Sequence, residues 1–391
     1  MSIPGNVPGN ISANIPASVP AKVLILSAVA SGGHRACAQA LAQSITEFSD
    51  GKMVPVSSSW VQHICPISGK IISKIYLKLI RIFPQGWGWA YDNKKIQKLV
   101  FGSIKILSRL DLCRLKNFLE KENPQLIVCT HAFPCRMIAE QKQNGKVRIF
   151  LAALVTDFAV HSYWVHPQVD LYFVANDRSA EFLRARGIAE EKIKVTGIPI
   201  DLSFYKKIDR TRARSMLGLK TEVPVLLLMG GSYGIGPFLP ILKQLQKIYP
   251  PPQILLATGT NKELKNKIHD FKNVQIQEAD ADISLLMDAA DILISKPGGL
   301  TCAESLAKEL PMVIVQAIPG QEERNAKYLC ENGAALWAES LNDLPQLLQN
   351  LLNDRRELEN LKKNITLLKI GHSGKKAAEF LTASSPKANT F

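Results

Sequence analysis

The sequence lacks the marks of several protein classes. No apolar run approaches the ~18–20 residues needed to span a bilayer. The N-terminus has neither the basic segment, the apolar core nor the cleavage site of a secretory signal, so a cytosolic protein is expected. The cysteines Cys37, Cys65, Cys113, Cys129, Cys135, Cys302 and Cys330 are scattered, with no CxxC pair. That excludes a disulfide framework and a zinc cluster of ordinary spacing, and favours reduced thiols. Negative charge is also scarce. There are 48 basic residues against 34 acidic ones, a net charge of +14. Between Trp60 and Leu110, Lys70, Lys74, Lys78, Arg81, Lys94, Lys95, Lys98, Lys105 and Arg109 face a single acidic residue, Asp92. Such a patch suits an anionic membrane or nucleic acid, but no RNA- or DNA-binding motif accompanies it.

What is present is a repeated alternation of strand and helix. The 391 residues suffice for two domains, each with its own core. Residues 1–20 are poor in bulky side chains and read as a disordered tail. From Val23 to Ser27 a strand leads into the turn Ser31-Gly32-Gly33 and a helix from about His34 to Phe48. Further strands are expected at Gln125–Thr130, Arg148–Thr156, Leu171–Ala175 and Lys192–Thr196. After Gly197-Ile198-Pro199, a hinge or linker, a second series begins at Val223–Met229. It continues with strands at Gln253–Thr258, Val274–Gln277, Asp291–Ser295 and Met312–Gln316. Strands separated by helices predict parallel sheets and an α/β architecture of two doubly wound halves. The expected domains are 21–203 on the acceptor and membrane side and 204–370 on the donor side, with a C-terminal helix and tail over 371–391.

The second half carries the chemistry. Lys296-Pro297-Gly298-Gly299-Leu300-Thr301-Cys302-Ala303-Glu304 and Pro319-Gly320-Gln321-Glu322-Glu323-Arg324-Asn325 read as two strand-to-helix turns in tandem. Free backbone N–H groups at such helix starts bind phosphate, which makes a nucleotide sugar the natural ligand. Gly230-Gly231-Ser232 is a third turn of this type, or an ordinary tight turn. A metal cage for a diphosphate is not evident. Helix N-termini can carry the leaving-group charge instead, so neither metal nor cofactor is expected. His161 and His166, five residues apart, do not share a helix face and lack an obvious third ligand.

Four segments together resemble a known family. Val23-Leu24-Ile25-Leu26-Ser27-Ala28 leading to Gly32-Gly33-His34-Arg35-Ala36 is similar to the opening of monogalactosyldiacylglycerol synthases and processive diacylglycerol glucosyltransferases. Thr156-Asp157-Phe158 with His161, Trp164-Val165-His166 and Asp170 resembles their central loop. Thr196-Gly197-Ile198-Pro199-Ile200 resembles their interdomain junction, and Lys296–Ala326 their donor region. The resemblance implies a GT-B fold, two Rossmann-like domains facing a central cleft. It also implies inverting transfer of galactose or glucose from a UDP-hexose to diacylglycerol.

On that resemblance His34 is the general base, with Asp157 a weaker candidate partner. A histidine behind Gly-Gly at a strand-to-helix turn can otherwise be a capping or packing residue. Gly230, Gly231, Ser232, Lys296, Gly298, Gly299 and Thr301 fall to the donor diphosphate. Glu304 falls to the ribose, or serves only the helix dipole. Gly320, Gln321 and Glu322 fall to the hexose, and Asn325 to a supporting contact or to polar surface. Gly33 falls to the acceptor side, and Asp157 and His161 shape the acceptor side of the cleft or make the loop's own hydrogen bonds. Lys70, Lys74, Lys78 and Arg81, spaced four, four and three apart with Trp87 following, form the cationic face of an interfacial helix or the solvated edge of a core helix. The expected location is therefore the inner face of the cell membrane, held peripherally by anionic lipids. Two rivals remain: a lipid-linked GlcNAc transferase of peptidoglycan synthesis, and a non-catalytic nucleotide-sugar sensor.

Overall fold

The computed structural model describes residues 20–28, 32–66, 109–231, 234, 236–261, 264, 267–268 and 271–384. The expected interfacial helix with Lys70, Lys74, Lys78, Arg81 and Trp87 lies outside them, as do Ser232 and nearly all of the expected N-terminal tail.

Among the described residues the strands form two parallel six-stranded sheets. The first contains β1 (Ala21–Ser27), β2 (Met53–Ser59), β3 (Leu126–Cys129), β4 (Phe150–Leu154), β5 (Leu171–Val174) and β6 (Ile193–Val195), in the order β2-β1-β3-β4-β5-β6. The second contains β7 (Val225–Met229), β8 (Gln253–Ala257), β9 (Val274–Gln277), β10 (Ile292–Ser295), β11 (Met312–Ile314) and β12 (Ala335–Trp337), in the order β12-β11-β10-β7-β8-β9. The sequences of β3, β5, β7 and β10 are unbroken apolar runs apart from Ser295, and every residue in them is buried. That is the pattern of strands covered by helices on both faces.

Two strands escaped the sequence-based reading, and both are edges. Met53–Ser59 contains Pro55 and three serines, and Ala335–Trp337 is three residues long. An edge strand is half solvated and tolerates proline, so it carries little apolar signal.

Among the described residues three apolar clusters form the core. One covers the outer face of the first sheet and includes Leu24, Leu26, Ile127 and Tyr172. Another covers the outer face of the second sheet, with Leu226, Leu228 and Ile254. The third is shared: Val23 and Ile25 of the first half join Val225 and Leu227 of the second through Phe158, Ile198, Ile200 and Phe204. The helix Ser373–Ser384 returns from the second half to pack on the helix Gly33–Phe48, with Gly374 so close to Ser44 that a Cβ would stand 2.1 Å from its Oγ.

Each sheet reverses its winding once, and the reversals position the site. In the first sheet β1 has β2 on one side and β3 on the other; in the second, β7 lies between β8 and β10. The registers Leu26↔Cys129 and Met229↔Ser295 set the paired strand ends level, so the following turns lie side by side. Ligand crevices of open α/β sheets form at such points, beyond the carboxyl ends of the strands.

Candidate active site

His34 follows the carboxyl end of β1, in the first turn of the helix Gly33–Phe48. The residue before that helix, Gly32, has φ 87°, a left-handed conformation that a side chain would strain. The ring of His34 is half-buried. Its Nδ1 lies 2.9 Å from the carbonyl oxygen of Thr130 and 2.9 Å from Oγ1 of Thr156. Thr130 also donates its hydroxyl to the His34 carbonyl at 2.8 Å. A carbonyl can only accept, so the Nδ1 atom carries the hydrogen and the neutral ring keeps its lone pair on Nε2. Burial holds the His34 pKa below its ordinary value of 6.5, against the opposing effect of the Thr130 hydrogen bond. His34 is thus a neutral base at physiological pH.

The ring of His131 packs edge-on to His34, with centroids 4.7 Å apart and planes at 82°. Its Nδ1 accepts from the backbone N–H of Phe133 at 3.1 Å, capping the helix Ala132–Gln143. Burial first, then the neighbouring His34, pushes the His131 pKa down to about 3. His131 is therefore neutral at physiological pH.

Asp157 does not serve His34 in this structure. The carboxylate is buried; one oxygen accepts from Nε2 of Gln321 and the other from Nδ2 of Asn325 at 3.1 Å. Burial raises its pKa to about 6, and the bonds from Asn325 and Gln321 oppose that rise. The partner expected at Asp157 is instead the Thr130 carbonyl, supplied by the main chain.

Asn325 is fully buried and joins the two halves. Its Oδ1 accepts from the Phe158 N–H at 2.8 Å, and its Nδ2 donates to Asp157 and to the Pro297 carbonyl, both at 3.1 Å. It is a tie between the central loop and the donor-side turn, neither surface nor free to meet a sugar. Gly299, at the start of the helix Gly299–Lys308, touches the same loop: a Cβ there would stand 2.0 Å from the Thr156 carbonyl oxygen. Gly33 also faces this helix, with a Cβ position 3.8 Å from Cβ of Leu300. Gly298 has open space where a Cβ would be.

Glu304 is half-buried on the helix Gly299–Lys308. Among the described residues none hydrogen-bonds its carboxylate. Burial, and to a lesser degree the charge of Asp201, raises its pKa to about 8. The group is therefore largely the neutral acid at pH 7. Glu322 is already engaged: one oxygen accepts from the Ile318 N–H at 2.9 Å and the other lies 3.8 Å from Nζ of Lys296. Gln321 is half-buried and spends its amide N–H on Asp157. Gly230 is buried after β7, Gly231 is exposed, and Thr301 is half-buried one turn before Glu304. Gly320, with φ 97°, opens the helix Gln321–Glu331.

His161 is buried. Its Nδ1 accepts from the Tyr163 N–H at 3.2 Å and so caps a short 3-10 turn. His166 likewise accepts from the Gln168 N–H. Asp280-Ala281-Asp282 has the spacing of a metal–diphosphate motif, but Asp282 caps the helix Ile283–Ala289. Among the described residues no group of three His, Cys, Asp or Glu is placed to hold a metal.

A family model for monogalactosyldiacylglycerol (MGDG) synthase matches residues 34–200, and one for the glycosyltransferase family 28 C-terminal domain matches residues 225–379. The processive diacylglycerol beta-glucosyltransferase of Bacillus licheniformis is 30% identical over 363 residues, covering 90% of this chain and 91% of the relative. The chain belongs to the MGDG synthase family of glycosyltransferases. Its similarity to the enzyme of the same name from Bacillus pumilus is 29% over 375 residues, 93% of this chain and 94% of the relative. Solved structures of the same architecture include Anabaena HepE in complex with UDP-glucose, with TM-score 0.56, 15% identity and coverage of 93% of this chain and 100% of that one. MurG of Acinetobacter baumannii gives TM-score 0.56 at 16% identity with the same coverages. The fold is GT-B, with the family's opening, central-loop and donor motifs meeting where the two sheets' strand ends face each other. Thr130, His131 and Thr156 join the predicted residues around His34. Thr156 belongs to the central-loop motif, but nothing local gives it, Thr130 or His131 a role at His34, because their partner lies about a hundred residues away, 122 in the case of Thr156.

Proposed function

We propose that this protein transfers a glucosyl group from UDP-glucose to diacylglycerol, inverting the configuration at the sugar C1. The family supports the substrate classes, and the relatives' product name supports glucose in β linkage. A β product from an α-linked UDP-sugar requires attack from the face opposite the diphosphate. In this reading the diacylglycerol hydroxyl gives its proton to Nε2 of His34 as its oxygen bonds to C1. The C1–O bond to phosphate breaks, and UDP departs with the electron pair. Gly298, Gly299 and Thr301 at the start of the helix Gly299–Lys308 supply N–H donors and a positive dipole end to the leaving diphosphate, with Gly230 and Gly231 after β7 and Lys296 nearby. Glu304 accepts the ribose hydroxyls. Gln321, through its free carbonyl oxygen, and Glu322 face the hexose from the turn opened by Gly320. Asn325 holds these turns in register.

The observation that carries the reading is His34 itself, a neutral imidazole with Nδ1 bound to an acceptor-only carbonyl and Nε2 left as the base. Among the described residues no helix is long and apolar enough to cross a membrane. The acceptor is a membrane lipid, so the encounter takes place at the bilayer surface, where the basic residues from Lys70 to Arg109 would meet anionic headgroups.

The test is UDP release with diacylglycerol vesicles and UDP-glucose, UDP-galactose or UDP-GlcNAc as donor. Turnover with UDP-glucose, lost about 10²–10⁴-fold in His34→Ala while UDP binding persists, is expected. Turnover with UDP-GlcNAc alone, or near-normal turnover of the variant, overturns the reading.

A further inference from the structure

We infer that Thr156 is a positioning residue for proton transfer: with the Thr130 carbonyl it holds the Nδ1–H of His34, so that the base works without a carboxylate partner. This rests on His34 being the base. The Nδ1 atom stands 2.9 Å from each of two oxygens. Because the Thr130 oxygen can only accept, the hydrogen is on Nδ1. Oγ1 of Thr156 is then the second acceptor of the same N–H, and its own hydrogen turns elsewhere. Were Thr156 instead to donate to an Nδ1 lone pair, that lone pair would face the Thr130 carbonyl at hydrogen-bond distance, which is repulsive.

The arrangement matters most when His34 becomes an imidazolium. A hydrogen bond from a cation is about twice as strong as a neutral one, so both oxygens stabilise the protonated ring more than the resting one. The titratable ring facing His34, His131, has its Nδ1 committed to Phe133 and stays neutral. It neither competes for the proton nor repels it. The Asp157 carboxylate, one residue from Thr156, is occupied by Gln321 and Asn325. Two neutral dipoles thus do the work that a carboxylate does in an Asp–His pair, and they leave the His34 pKa low enough for the ring to be unprotonated at neutral pH.

Thr156 is itself located by the donor side. Its carbonyl abuts Gly299, and Asp157 and Phe158 are bound by the helix Gln321–Glu331. A displacement of the donor-side helices is therefore transmitted to the imidazole through one tripeptide, with Phe158 anchored again by Asn176 and Ser179.

Thr156→Val preserves shape and the main-chain carbonyl and removes the hydroxyl. With UDP-glucose and diacylglycerol vesicles, kcat should fall about tenfold while the KM for UDP-glucose and the affinity for UDP stay constant. The acid limb of kcat/KM should move to lower pH, because the imidazolium has lost an acceptor. Thr156→Ser should restore both. Independently of activity, long-range ¹H–¹⁵N spectra of the histidine rings should show the Nδ1–H tautomer for the signal that disappears in His34→Gln. An unchanged kcat and acid limb in Thr156→Val, an equal loss of kcat and UDP affinity in the Val and Ser variants, or an Nε2–H tautomer in the wild type each overturns the inference. Near-normal turnover in His34→Gln instead removes the base itself, so the two failures are distinguishable.

Discussion

Glu304 offers the sharpest test of the donor side, because its protonation state and its proposed task conflict. Burial and Asp201 place its pKa at about 8, above the ordinary 4.5, so at pH 7 the free protein holds it largely as the neutral acid. Ribose hydroxyls are best received by the carboxylate. If the ionised form is the one that binds, the competent fraction is about a tenth at pH 7 and about nine-tenths at pH 9, since each unit of pH below the pKa costs a factor of ten. Observed UDP affinity should thus rise roughly tenfold between these pH values, a gain of ~1.4 kcal/mol. At pH 7 nearly one proton should leave the protein for each UDP bound. Isothermal calorimetry in two buffers of different ionisation enthalpy measures both quantities. The phosphates of UDP change their charge little above pH 7, so they do not mimic the effect. Glu304→Gln should bind more weakly at pH 9 and lose the pH dependence. A flat affinity between pH 7 and 9 in the wild type, or the same rise in Glu304→Gln, would refute the assignment of Glu304 to the ribose.

Two further outcomes follow from the geometry. Asn325→Ala leaves the Phe158 N–H, the Pro297 carbonyl and one Asp157 oxygen without their buried partner; urea unfolding should show a loss of about 3 kcal/mol, and a loss below ~1 kcal/mol would mean that the tie is replaced by water. Replacing Lys70, Lys74, Lys78 and Arg81 by Glu should remove most binding to anionic vesicles at low salt, at about 1 kcal/mol per charge near the surface, and leave neutral-vesicle binding unaltered. Equal sedimentation of wild type and variant with anionic vesicles would place the membrane contact elsewhere.

The parts of this protein that were legible from sequence are those in which a local pattern has a local cause. Fully buried parallel strands must be apolar throughout, so β3, β5, β7 and β10 announce themselves. A helix opened by glycine beside a strand end is likewise a local event, which is why His34 and the Gly298–Glu304 segment could be singled out. What each side chain contacts was far less legible. Asp157 is one residue from Thr156, yet it faces the second half while Thr156 faces His34. Nothing in a four-residue stretch distinguishes those directions. His161, read as shaping the acceptor side or the loop's own hydrogen bonds, accepts from the Tyr163 N–H within its own loop.

Asn325 shows why such residues resist prediction. An asparagine one turn into a helix is ordinarily solvated, and its amide carries no charge that would flag a role. It is buried here because three polar groups from two distant segments converge on it, one N–H and two oxygens, which an amide matches with its own acceptor and two donors. An aspartate of equal size would set a second carboxylate against Asp157, and a leucine would strand all three groups. The requirement is thus set by the assembled cleft, not by the helix. The same convergence gives the site its economy of parts: Thr156 orients the base, Asp157 and Phe158 meet Asn325, and Gly299 seats the donor-side helix on the Thr156 carbonyl. Acceptor-side chemistry and donor-side binding are joined through three consecutive residues, so a substitution on either side that moves this loop should be felt on the other.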